Sequence, residues 1–141
     1  MRIELSGINW MAVGVAALAT FFLGAIWYAA LFGKLWQRLH GYSDEKVKQM
    51  QKARPPAVFF GTMIGSYFVL AVVLAVLMVN LGAVTAGAGA TFGFLVWLGP
   101  AASIGMTAWI ASDKPFGAYA IDLGYQLAYL VMMGAILGGW R

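Results

Sequence analysis

Four apolar runs, at residues 8–32, 56–81, 86–111 and 116–140, are the feature that most narrows what this chain can become. Each is long enough to cross a hydrocarbon layer of about 30 Å, which takes roughly 20 helical residues. No water reaches the backbone inside such a layer, so a spanning segment must close its own hydrogen bonds, and a helix does so. The expected fold is therefore all-α, a four-helix transmembrane bundle. A soluble alternative fails on composition: 62% of the 141 residues are hydrophobic and 10% are charged, against about 25% charged in soluble domains. A chain of this size buries only about two thirds of its surface in water, and the apolar surplus needs lipid. Its length limits it to a single membrane domain over residues 1–141, with the lipid bilayer as its first partner.

The placement of charge orients the bundle. Between the first two runs, loop 33–55 holds Lys34, Arg38, Lys46, Lys48, Lys52 and Arg54 against only Asp44 and Glu45. The positive-inside rule makes this the cytoplasmic loop. The connection around residues 80–85 carries no charge, and the third is the tight turn Ser112, Asp113, Lys114, Pro115. Alternation then places the N and C termini on the extracytoplasmic side, with Trp10 and Trp140 at the outer interface and Trp36 and Trp109 at the inner one. Six of the nine basic residues sit in one loop beside apolar spans, so the net charge of +4 is a topology signal and no nucleic-acid partner is expected. The first run continues to Phe32, too long for a cleaved signal peptide. Within the loop, Ser43 is expected to cap a short helix that carries Asp44 and Glu45 first and Lys46, Lys48 and Lys52 later.

Lipid offers helices no hydrophobic reason to associate, so small and polar residues mark the faces that meet protein. The first span presents Asn9, Val13, Ala16, Thr20, Gly24 and Trp27 on one face. The second presents Gly61, Thr62, Gly65, Val69, Val76 and Asn80, and the third Gly89 and Gly93 in line with Trp97, Pro100 and Thr107. Pro100 removes a backbone hydrogen bond and should kink its helix. The fourth span carries two such faces: Tyr119, Asp122, Gln126, Tyr129 and Met133 on one side, Gly117, Ala120, Gly124, Ala128, Val131 and Gly138 on the other. Two faces ask for two neighbours, which suggests a homo-oligomer or a membrane-complex partner across Gly124 and Ala128.

Asp122 is the only ionisable acid or base well inside a span, six residues from its inner end and so roughly 9 Å deep. An ionised carboxylate at mid-membrane costs about 2.5–3.5 kcal/mol on insertion scales, so this one must be protonated, paired or facing a wet cavity. Tyr119, Tyr125 and Gln126 lie within reach on the same helix, and Thr62 or Asn9 could approach from others. Two readings follow. In one, Asp122, Gln126, Tyr119 and Tyr129 bind or conduct a proton or small solute. In the other, the carboxylate is structural and the chain is a non-catalytic accessory or scaffolding subunit.

Other chemistry finds little support. Cysteine is absent and His40 is the only histidine, which removes disulfides, Cys/His zinc sites and bis-histidine haem. Ser66 has no base within foreseeable reach. The stretch GAVTAGAGATFG lacks the lysine of a phosphate-binding loop and reads as a close-packing surface. No catalytic residue, no metal ligand and no cofactor is assigned, and an enzyme is not expected.

Asn9 and Trp10, Gly24 with Trp27 and Tyr28, Leu31 to Gly33 followed by Trp36, Asp113 to Pro115, Asp122, Gly124, Tyr125, and Gly134 to Trp140 form a set of aromatic and glycine-rich motifs spread over nearly the whole chain. In these it resembles the membrane-protein family catalogued as domain of unknown function 1761 (DUF1761). The resemblance implies a four-span fold and a bacterial source, hence the bacterial cytoplasmic (inner) membrane, and it transfers no catalytic residue.

Overall fold

A computed structural model describes residues 2–141. Helix α1 (Trp10–Ala25) runs on through a π-helical segment, Ile26–Leu31, into α2 (Gly33–His40), and α3 (Asp44–Lys52) completes the loop. Helix α4 (Pro56–Leu81) follows. The third span is α5 (Ala86–Val96), a second π segment (Trp97–Ala101) and α6 (Ala102–Ile110), and α7 (Phe116–Gly139) is the fourth. Four stretches, Trp10–Leu31, Pro56–Leu81, Ala86–Ile110 and Phe116–Gly139, are long and apolar enough to cross a membrane. Among the described residues there is no strand.

Local chemistry sets the helix boundaries. The Asn9 side chain accepts from the N–H groups of Met11 and Ala12 at 3.0 and 3.1 Å, and Thr85 accepts from Ala88 at 3.1 Å, satisfying donors that a helix start leaves free. Ser43 caps α3 in the same way through the Lys46 N–H. Gly41 and Gly82, at φ +70° and +74°, end α2 and α4 in the left-handed conformation that glycine adopts at least cost. Pro56 opens α4 and Pro115 precedes α7.

Helix α7 is the axis of the bundle: no residue from Gly117 to Gly138 is exposed. It meets α5 at backbone contact. A Cβ on Gly89 would strike the carbonyl of Gly134, and one on Gly134 would strike that of Gly89; Gly93 faces Leu130 in the same way and Gly138 faces Thr85. On the other side α7 meets α1, which packs along α4 through Ala12, Val13, Ala16 and Ala17 against Ala71, Leu74, Ala75 and Met78. Both termini lie at one end, where Asn9 Nδ2 donates to the Trp140 carbonyl at 3.3 Å and Arg141 to that of Ala83 at 2.6 Å. The basic loop lies at the other, where Lys114 Nζ donates to the His40 carbonyl at 3.1 Å.

Two packing expectations need correction. Gly61 and Gly65 touch nothing in the chain: a Cβ on either would find no atom within 4 Å. Helix α4 turns its alanine face to α1 only from Ala71 onward, and its first half, with Thr62 and Val69, stands exposed. The second face of α7 also has its neighbours inside the chain, since Gly124 lies against the Trp27 ring and Gly138 against α5. That face therefore does not require a second copy.

Candidate functional site

The four residues singled out on the fourth span come together. Tyr119, Asp122, Gln126 and Tyr129, with Leu123, line one wall of a partly open cleft of about 340 Å³, and Ala101, Ile104, Gly105 and Ala108 line the other. Its origin lies in the third span. Up to Val96 the helix is glycine-packed onto α7, but Pro100 cannot donate to the α-helical ladder and the chain widens into a π turn at that point. Beyond it, α6 touches α7 only sparsely, and the space between them is the cleft.

Asp122 sits between that cleft and α1. The Tyr28 hydroxyl donates to its Oδ1 at 2.5 Å and the Trp36 indole N–H to its Oδ2 at 3.4 Å. The expected partners were different: Tyr125, Thr62 and Asn9 do not reach it. Tyr125 points away, donating to the Thr20 carbonyl at 2.9 Å and lying 3.0 Å from the Tyr67 hydroxyl. Asn9 is spent on its cap and on Trp140. Tyr28 belongs to the π segment, which closes at Gly33, where any side chain would collide with the Tyr28 carbonyl. Trp36 lies on α2. The sequence held a clue: Tyr28 and Trp36 flank the inner end of the first span, at the depth of Asp122.

Several neighbours fix this arrangement. Trp27 and Trp97 donate from opposite sides to the carbonyls of Ile121 and Leu123, at 3.1 and 2.8 Å, and clamp α7 on either side of Asp122. The Trp36 ring lies 4.0 Å from that of His40, which in turn stacks on Tyr42 at 5.3 Å, so the indole is held from the loop side. The partners of Asp122 are neutral. Among the described residues the only ion pair is Lys114 with Asp113, at 3.7 Å on the surface.

The geometry permits a change of protonation. An indole only donates, so Oδ2 accepts from Trp36 whatever the charge of the carboxyl. A phenol both donates and accepts, so a proton on Oδ1 is accommodated by turning the Tyr28 hydroxyl. Beside it, Gln126 Oε1 is buried with no hydrogen-bond partner. A buried acceptor left unpaired costs about 1–3 kcal/mol.

Fold and site define a class: a four-span helical bundle of the membrane type, with a carboxylate at the wall of a cleft between its last two spans. The family model described as "Protein of unknown function (DUF1761)" matches residues 11–138, and the chain belongs to that family. No curated protein and no solved structure matches it.

Proposed function

We propose that the protein binds or conducts a proton or small solute at the Asp122 cleft, as a multi-pass protein of the bacterial cytoplasmic membrane. The observation that carries this reading is the coincidence of three features in one place: a lone intramembrane carboxylate held only by neutral donors, a buried unpaired amide acceptor beside it, and a cleft lined by both residues. Ionisable groups at such depth are costly and are retained where they do something. The basic loop supports an orientation with loop 33–55 in the cytoplasm and both termini outside. The experiment is proton flux into proteoliposomes carrying a lumenal pH dye. Wild type should acidify the lumen under an imposed gradient and Asp122→Asn should lose that flux while keeping its assembly state. Flux unchanged in Asp122→Asn refutes the reading.

A second reading, an accessory subunit or homo-oligomer, is favoured by the uncovered first half of α4. Gly61 and Gly65 there form a small-residue stripe that nothing in the chain covers, with Val58, Phe59 and Phe60 exposed beside it. Such stripes let membrane helices approach closely. Disulfide trapping of Gly65→Cys in native membranes should give a dimer on this reading, and monomer alone counts against it.

A further inference from the structure

The lining of the cleft indicates what it takes, an inference that rests on the reading of Asp122 as a binding carboxylate. We infer that the ligand is a small organic monocation bearing an N–H donor, a primary or secondary ammonium on an apolar skeleton. Charge comes first. Asp122 is the only charged residue lining the cleft, and Tyr28 and Trp36 satisfy its oxygens without neutralising it. The ionised site therefore carries one negative charge with no counter-charge, which repels anions and takes one positive charge.

The remaining walls separate an organic cation from a hydrated ion. Ala101, Ile104, Gly105, Ala108 and Leu123 offer hydrocarbon, and a metal ion would need more oxygen ligands than Asp122 and Gln126 supply. Tyr119 and Tyr129 line the same space, and aromatic side chains attract ammonium groups. The Asp122 carboxylate, which only accepts hydrogen bonds when ionised and has lone pairs beyond those used by Tyr28 and Trp36, adds the demand for an N–H. Size closes the set. A volume of about 340 Å³ lies at the small end of ligand sites. Ile104, 68% exposed, puts the mouth on the flank of the bundle, where an amine partitioned into the apolar layer would arrive.

Phenethylammonium, its neutral isostere 2-phenylethanol and the anion phenylacetate serve as probes, titrated calorimetrically into the full-length protein in phosphatidylcholine nanodiscs. Phenethylammonium should bind saturably with one site per chain, at least tenfold more tightly than either of the others. Asp122→Asn should weaken it at least tenfold and Gln126→Leu about fivefold. Ala108→Phe, which fills the cleft from an exposed position on α6 and leaves the carboxylate in the chain, should also weaken it tenfold. This last variant keeps the test decisive if Asp122→Asn fails to fold. Equal binding of the three probes, or undiminished binding in Ala108→Phe, overturns the assignment. Asp122-dependent proton flux without saturable ammonium binding overturns the ligand class and leaves the proton reading standing. Absence of both overturns both.

Discussion

The half of the bundle that carries the termini and the half that carries the basic loop are built on opposite principles. In the terminal half, glycine and alanine bring α1, α4, α5 and α7 together, and every buried residue of the first three spans lies there, from Ala12 to Thr20, Ala71 to Met78, and at Gly89 and Gly93. In the loop half those spans bury nothing, and α7 alone supplies buried residues, at Ala118, Ile121, Leu123 and Tyr125. Of the two π segments, Trp97–Ala101 falls where one regime gives way to the other, and Ile26–Leu31 forms the loop-half end of the first span. Small side chains make a seam with no room in it, while bulky aromatics and a proline hold helices apart and leave space beside a carboxylate. Tight packing and open space are thus assigned to different depths of the same four helices.

The largest effect should come from breaking the tight half. Gly134→Val drives a side chain into the Gly89 backbone, and neither helix can yield locally. A loss of about 3 kcal/mol is expected, read as a collapse of the unfolding temperature in detergent. Gly61→Val, in the open half, should stay within about 0.5 kcal/mol. Equal losses at both positions would erase the contrast. Next in size is Asp122→Ala, which strands the Tyr28 hydroxyl and the Trp36 indole at a cost of about 1–3 kcal/mol. Trp36 fluorescence should shift, and hydrogen exchange should rise in α2 while α5 stays protected.

Much of the tight half was legible in the sequence, and the open half was less so. The helices fall on the apolar runs because backbone satisfaction in an apolar medium leaves a segment little choice. The Val13, Ala16, Thr20 face and the Gly89, Gly93 pair pack as expected because small residues at helical spacing have one obvious use there. The same signal at Gly61 and Gly65 did not lead to packing within the chain. Spacing describes a helix face but not whether α4 stays within reach of its neighbours at that depth. The cleft residues Tyr119, Asp122, Gln126 and Tyr129 were readable from one helix. The donors to Asp122 were not: Tyr28 and Trp36 lie 94 and 86 residues away in sequence, and the π turn that aims Tyr28 leaves only Gly33 as a trace.

A finer test of the boundary is Pro100→Ala. Restoring the backbone donor should let α6 continue the line of α5 and narrow the cleft, so a cysteine at Ala108 should react with a water-soluble maleimide several-fold more slowly than in the Pro100 background. Unfolding should shift by about 1 kcal/mol or less. The smallest change belongs to the strap before α1, where Asn80 exchanges hydrogen bonds of 3.0 Å with both backbone groups of Glu4. Asn80→Ala should fray that strap, visible as faster exchange at Glu4 and Ser6 with the bundle unaltered. Acidification should act more mildly. The Ser6 hydroxyl and N–H hold the Glu4 carboxyl below its usual range, so its contribution persists at neutral pH and fades only as pH falls through that lowered value.

The central position of α7 has a consequence for how the protein is made. The helix against which α1 and α5 pack leaves the ribosome after them, so the glycine face of α5 enters the bilayer uncovered, while the alanine faces of α1 and α4 already cover each other. Tyr28 and Trp36 are already in place when Asp122 arrives, and the costliest residue of the chain is inserted beside donors that shorten its stay in bare hydrocarbon. Biogenesis of this bundle is a wait followed by a single closing step, and a chain stalled before residue 116 should be a preferred target for membrane proteases.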